Sequence, residues 1–131
     1  MTTENFLSSL RDRLKTLMLN SYIVQGDETT IKVLDRSHPK NIRLGYYWFY
    51  VGDHNIVYID FTKNRSREGP IKVLKNRKIG YFQTDGYAGY ERLYNGMEAN
   101  LTNIRCWMHA RRYFYQAYEQ KDYRALPVLE K

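Results

Sequence analysis

Two aspartates stand where a divalent metal could be held. Asp27 interrupts a β-branched run, with Gly26 before it and Glu28 after it, and Asp85 closes a later apolar run in Gln83-Thr-Asp-Gly-Tyr. Carboxylates are hard oxygen ligands suited to Mg²⁺ or Mn²⁺. Metals held by such a pair can activate a nucleophile and stabilise a leaving oxygen during phosphodiester cleavage or strand transfer. A plainer reading stands beside this one. Asp-Gly is a common turn, and an aspartate at a strand end is more often a cap or turn former than a ligand. Asp27 makes the stronger candidate, because an acidic pair inside a strand costs stability unless something uses it.

Cations gather in two further places. Cys106-Trp-Met-His-Ala-Arg-Arg brings His109, Arg111 and Arg112 to the junction of a strand and a helix. Helix N-termini attract phosphate, so this segment could contact nucleic acid; alternatively His109 packs under the sheet and the arginines pair with surface carboxylates. The stretch from Lys63 to Lys78 carries Lys63, Arg65, Arg67, Lys72, Lys75, Arg77 and Lys78 against the single Glu68. Such a run could follow a phosphate backbone in a salt-sensitive manner without reading sequence, or form an ordinary solvated face. Cys106 with His38, His54 and His109 does not make a zinc site, and neither a glycine-rich phosphate loop nor a Ser-His-Asp nucleophile signal is present.

The elements that must position these residues follow from periodicity. Phe6, Leu7, Leu10, Leu14, Leu17 and Met18 have the spacing of an amphipathic helix over Glu4 to Leu19, capped by Thr2 or Thr3 and ended by Asn20-Ser21. Tyr22 to Gln25 and Thr29 to Leu34 read as one strand around Asp27, Leu44 to Val51 as a second and Ile56 to Phe61 as a third. The short turn Gly52-Asp-His-Asn makes the last two an antiparallel hairpin. Pro70 suits the first turn of a short helix through Leu74. A fourth strand spans Lys78 to Gln83, a helix Ala88 to Leu93 stops at Asn95-Gly96, a fifth strand spans Asn103 to Trp107, and a helix runs from Met108 to Tyr118. Pro127 marks a final break.

This order predicts an α/β fold: a five-stranded mixed sheet, an antiparallel three-strand meander followed by two α/β units, with flanking helices. It is the order of an RNase H-like domain. Residues 1–20 form a leading amphipathic helix and 21–131 the sheet domain. If the first and fourth strands are neighbours, Asp27 and Asp85 can approach each other at the carboxyl ends of parallel strands, where open α/β sheets collect ligands.

Composition sets outer bounds. The 131 residues suffice for one core. A net charge of +7 and a pI near 9.5 favour an anionic partner, nucleic acid being the commonest. No apolar run approaches the roughly 20 residues of a membrane helix, no secretory signal is evident, and the lone Cys106 fits a reducing compartment, so the expected location is cytoplasmic. Thirteen tyrosines against five phenylalanines suit half-buried strands and interfaces, and exposed aromatic strands leave a homo-oligomer open.

Four segments in order carry a resemblance: Gly26-Asp-Glu-Thr-Thr-Ile-Lys-Val-Leu-Asp, Gly45-Tyr-Tyr-Trp-Phe-Tyr-Val-Gly-Asp, Gln83-Thr-Asp-Gly-Tyr-Ala-Gly-Tyr and Cys106-Trp-Met-His-Ala-Arg-Arg-Tyr-Phe. The series resembles the catalytic domain of transposases of the insertion-sequence 66 family, and covers nearly the whole chain. The resemblance implies a DDE-type enzyme of RNase H-like fold, in which two Asp and one Glu hold Mg²⁺ (or Mn²⁺) for DNA strand cleavage and transfer at transposon ends. It carries Asp27 and Asp85 over as the catalytic, metal-binding aspartates, and matches His109 to Arg112 without assigning their role. The family's Glu lies in an Asp-Asn-Asn-x-x-Glu type segment that these residues do not contain. The resemblance therefore implies a truncated domain with an incomplete triad, inactive alone. Glu119, 34 positions after Asp85, is a minor candidate for the third ligand. The alternative is a non-catalytic nucleic-acid-binding or protein-interaction module derived from a transposase.

Overall fold

The computed structural model describes residues 2–77, 80–94 and 99–130. Helix α1 (Thr3–Leu19) begins where Thr2 Oγ1 accepts the Asn5 N–H at 3.4 Å, a side-chain cap for a donor the helix itself cannot satisfy. Its apolar stripe is only partly used. Met18 is fully buried, whereas Phe6, Leu7 and Leu10 stay exposed. Strand β1 (Ile23–Leu34) follows, and Gly26-Asp27 does not break it. Both residues stay in the antiparallel ladder with β2 (Ile42–Val51), Gly26 opposite Tyr50 and Asp27 opposite Phe49.

Strand β3 (Val57–Thr62) continues the meander. The turn before it is a single 3-10 turn, Asp53–Asn55, in which His54 and Asn55 take positive φ. Asp53 anchors it: its carboxylate accepts the Tyr22 N–H, and its own N–H donates to Ser21 Oγ at 2.9 Å. The hairpin end is thereby tied to the point where α1 hands over to β1. Helix α2 (Glu68–Leu74) carries Pro70 in its first turn, as expected. Strand β4 is Gly80–Thr84; the sequence reading began it at Lys78, and residues 78–79 lie outside the described residues. A 3-10 turn, Ala88–Tyr90, leads into α3 (Glu91–Tyr94), and the expected stop at Asn95-Gly96 also falls outside them.

Several strand ends shift by one or two residues, and two readings change in kind. Strand β5 is Leu101–Arg105, and Trp107, read as its last residue, instead opens α4 (Trp107–Glu119). The pairing ends because the Cys106 N–H makes the last bond to β4, to Thr84 O at 2.8 Å, and Cys106 then serves as the helix cap. Pro127 does not break the chain. It sits in the first turn of α5 (Leu126–Leu129), where its missing N–H has no partner to lose.

The sheet has the order β3-β2-β1-β4-β5, antiparallel across the first three strands and parallel from β1 to β4 to β5. Strands β1 and β4 are therefore neighbours. One face is the core: Val24, Trp48, Tyr50, Tyr58 and Phe82 pack under Val73 and Leu74 of α2, Tyr90, Leu93 and the end of α1. Trp48 is fully buried, and its indole N–H donates to Thr62 Oγ1 at 2.7 Å. On the other face Val57, Ile59 and Phe61 are exposed, and no residue of α4 is fully buried. Past Thr30, β1 and β2 run on as a two-stranded arm. Their ladder reaches Leu34 opposite Ile42, while β4 pairs with β1 only at Ile23 to Gln25 and β3 pairs with β2 only as far as Tyr46. Among the described residues no helix is long and apolar enough to cross a membrane.

Candidate metal and nucleic-acid site

The parallel pairing of β1 with β4 decides where the two aspartates point. Gln25 lies beside Gln83 in the ladder, and partners in register project to the same face of a sheet. Asp27 and Asp85 each stand two residues farther on, so they share that face. Both line one cavity of about 330 Å³, with Gln25, Gln83, Cys106 and His109 among the other walls. The cavity opens at the carboxyl end of β4, where α/β sheets gather ligands.

Neither carboxylate has a cationic partner among the described residues. Asp27 Oδ1 accepts only the N–H of Glu28, at 2.9 Å, and Asp85 Oδ1 accepts the Tyr87 N–H at 2.9 Å in a turn closed by the Gly86 N–H on Thr84 Oγ1. Gly86 has φ +91, and a Cβ there would stand 2.1 Å from the Arg105 guanidinium. The Asp-Gly pair is thus a turn former and a cavity wall at once; the two readings of Asp85 are not exclusive. The donor set suits a hard cation: two carboxylates facing one cavity, with room for the several waters that Mg²⁺ keeps. Among the described residues no three His, Cys, Asp or Glu side chains are grouped to hold a metal ion.

Cys106 and His109 form the remaining wall. His109 is half-buried, with Nδ1 out of contact with water and without a hydrogen-bond partner. It does not pack under the sheet core. The Cys106 thiol is pulled below its ordinary range, chiefly by the His109 side chain and then by the first backbone N–H groups of α4, as a thiol at a helix N-terminus should be. Arg111 and Arg112 are exposed on α4 and do not line the cavity. Glu119 ends α4, ten residues beyond His109 and so ~15 Å farther along the helix axis; it does not line the cavity either.

The basic stretch splits. Lys63 and Arg67 are exposed and make no ion pair among the described residues. Arg65, read from sequence as a phosphate contact, is engaged elsewhere. Its guanidinium donates to Glu28 Oε1, through Nε at 2.7 Å and through Nη2. Arg77 is 3% exposed and donates to the backbone oxygens of Leu19 and Tyr22, each at 2.8 Å. It closes the seam between α1 and β1 and follows no external phosphate.

Sequence reasoning missed Glu28. It projects to the face opposite Asp27, its side chain is 5% exposed, and its second oxygen accepts the Tyr90 hydroxyl at 3.0 Å. Burial, then the Glu28 charge, pushes the Tyr90 phenol far up, so it stays a proton donor. Strict strand alternation was the available signal: of two adjacent acidic residues only one can face a given side. A larger cavity of about 530 Å³ lies at the other end of the strands, by Tyr22, Asp53, Tyr81 and Thr102. Its one carboxylate, Asp53, is committed to the β1 backbone.

A family model described as Transposase IS66 family matches residues 1–131. No curated protein and no solved structure matches the chain.

Proposed function

Because the chain belongs to the Transposase IS66 family, we propose that its part in transposition is DDE-type chemistry on DNA, with Asp27 and Asp85 as metal ligands on a sheet of RNase H-like kind. The observation that carries this reading is the shared cavity: two carboxylates without cationic partners, on one face, at the end of two parallel strands. When bound there, Mg²⁺ or Mn²⁺ would supply nucleophile activation and charge stabilisation at the leaving oxygen. The protein's own residues orient that chemistry. The Asp-Gly turn fixes Asp85, the β1–β2 ladder fixes Asp27, and His109 stands across the cavity where a phosphate oxygen could meet it. Lys63, Arg67, Arg111 and Arg112 would neutralise the phosphates of a transposon end beyond the cavity.

Two carboxylates are one fewer than the chemistry uses, and Glu119 is too far along α4 to complete them. These 131 residues alone should therefore bind a divalent ion weakly and transfer strands little. Titration of Mn²⁺ followed by electron paramagnetic resonance tests the reading. Binding should be lost in both Asp27→Asn and Asp85→Asn and persist in Glu119→Gln. Wild-type binding that survives both aspartate substitutions overturns it. A second reading, a DNA-binding module without chemistry, is favoured by the absence of a three-ligand group among the described residues. DNA affinity that ignores both metal and the two aspartates would select it.

A further inference from the structure

Four side chains on the core side of the sheet close a ring that ends at the Asp85 turn. Glu28 Oε1 accepts the Arg65 guanidinium. That guanidinium lies 4.3 Å above the centre of the Tyr87 ring, and the Tyr87 hydroxyl donates back to the Arg65 backbone oxygen at 2.9 Å. Tyr87 meets Tyr90 edge to face at 5.7 Å between ring centres, and the Tyr90 hydroxyl returns to Glu28 Oε2 at 3.0 Å. Each member has two contacts within the ring. The Tyr87 N–H is the hydrogen-bond donor to the Asp85 carboxylate.

We propose that Arg65 and Tyr87, held by Glu28, form a clasp that positions Asp85; they are positioning residues for the metal site, and the proposal rests on the reading of Asp85 as a ligand. The physical argument is one of rigidity. Asp85 leaves the sheet after Thr84, the last residue of β4, and Gly86 with φ +91 adds no stiffness of its own. Without a restraint at residue 87, the turn would sample several orientations of the carboxylate. The clasp supplies it twice, by a ring stacked under a planar cation and by a hydroxyl bonded to backbone. Replacing the partners behind a ligand typically costs about 10–100-fold in metal affinity. The arrangement also explains why the two adjacent acids of β1 differ: Asp27 faces the cavity, while Glu28 serves Asp85 from behind the sheet.

The test uses the whole chain with Mn²⁺ as probe and Arg65→Lys as the main variant, which keeps the charge but loses the planar fork and the stack. Two quantities are read: Mn²⁺ affinity, and hydrogen exchange at the Tyr87 amide in metal-free protein. Arg65→Lys should weaken Mn²⁺ binding about tenfold. It should also speed Tyr87 exchange about fivefold, with the amides of β1 and β2 unchanged, since only a local opening is eased. Glu28→Gln should act in the same direction if Arg65→Lys folds poorly. Tyr87→Phe, which keeps the ring, should stay within about twofold of wild type in affinity. Unchanged Tyr87 exchange in both Arg65→Lys and Glu28→Gln overturns the clasp. Exchange that accelerates equally throughout the sheet also overturns it, because that marks a merely structural role. If wild-type Mn²⁺ binding proves independent of Asp85, the metal reading fails, while the exchange measurement still decides whether the clasp holds the turn.

Discussion

Gly26 stands next to Asp27 of the candidate site and directly against Phe82 of the core. A Cβ added there would stand 2.5 Å from Phe82 Cζ and 2.6 Å from Cε2. Phe82 cannot retreat. It is fully buried, with Tyr90 edge-on at 5.1 Å and Tyr94 at 6.2 Å between ring centres. Gly26→Ala therefore sets two effects against each other. Restricting the unfolded chain favours alanine by about 0.4–1 kcal/mol, while overpacking a filled core costs about 1–3 kcal/mol. The clash wins, for a net loss of ~1–2 kcal/mol. With an unfolding entropy of about 2.1 cal/mol/K per residue, that lowers the melting temperature of a chain this size by ~4–7 °C. Urea denaturation followed by tryptophan fluorescence is a suitable assay, because Trp48 is fully buried and Trp107 is 63% exposed. The midpoint should fall with the slope unchanged. Phe82→Leu should recover part of the loss when combined with Gly26→Ala, as coupled neighbours do. A Gly26→Ala midpoint at or above wild type, or strict additivity of the two substitutions, would refute the reasoning.

Three other outcomes follow. Thr62→Val strands the buried Trp48 indole N–H and should cost about 1–3 kcal/mol in the same denaturation assay; a loss below about 0.5 kcal/mol, the size of an ordinary surface change, would show that the indole finds another acceptor. Cys106 should alkylate at lower pH than an unperturbed thiol, since a depressed pKa enlarges the thiolate fraction near neutrality; His109→Ala should move the profile back toward higher pH, and an unmoved profile would remove His109 as the cause. Replacing Lys63 and Arg67 together by glutamine should reduce the slope of log affinity for duplex DNA against log salt by about 2 if each neutralises one phosphate. An unchanged slope would take both off the DNA path.

The succession of strands along the chain could be anticipated because the apolar runs, the Asp85-Gly86 turn and the short hairpin turn are local signals. The pairing of β1 with β4 was conditional in the sequence, since it is a contact between residues far apart in the chain. Asp27 and Asp85 were legible as candidates from residue type alone, but their common face needed the register of Gln25 with Gln83. The opposite facing of Glu28 was open to strand alternation, but the partners of Arg65 and Arg77 were illegible for one reason. A cation in a basic run looks the same whether its partner is water, a phosphate or a carboxylate brought in from another element. Cys106 and Trp107 were misread as strand because both residue types tolerate a strand, and nothing local announced that β4 ends beside them.

The two-stranded arm of β1 and β2 offers a practical handle. Its tip is closed on itself: the Asp35 N–H donates to Asn41 O at 3.0 Å, Arg43 pairs with Asp35 at 3.0 Å, and Arg36 to Lys40 are exposed. At ~3.3 Å per residue the tip lies about 26 Å from Asp27. A fluorophore or affinity tag inserted between Ser37 and Lys40 would leave both aspartates and the core untouched, and would give a label or immobilisation point remote from the cavity.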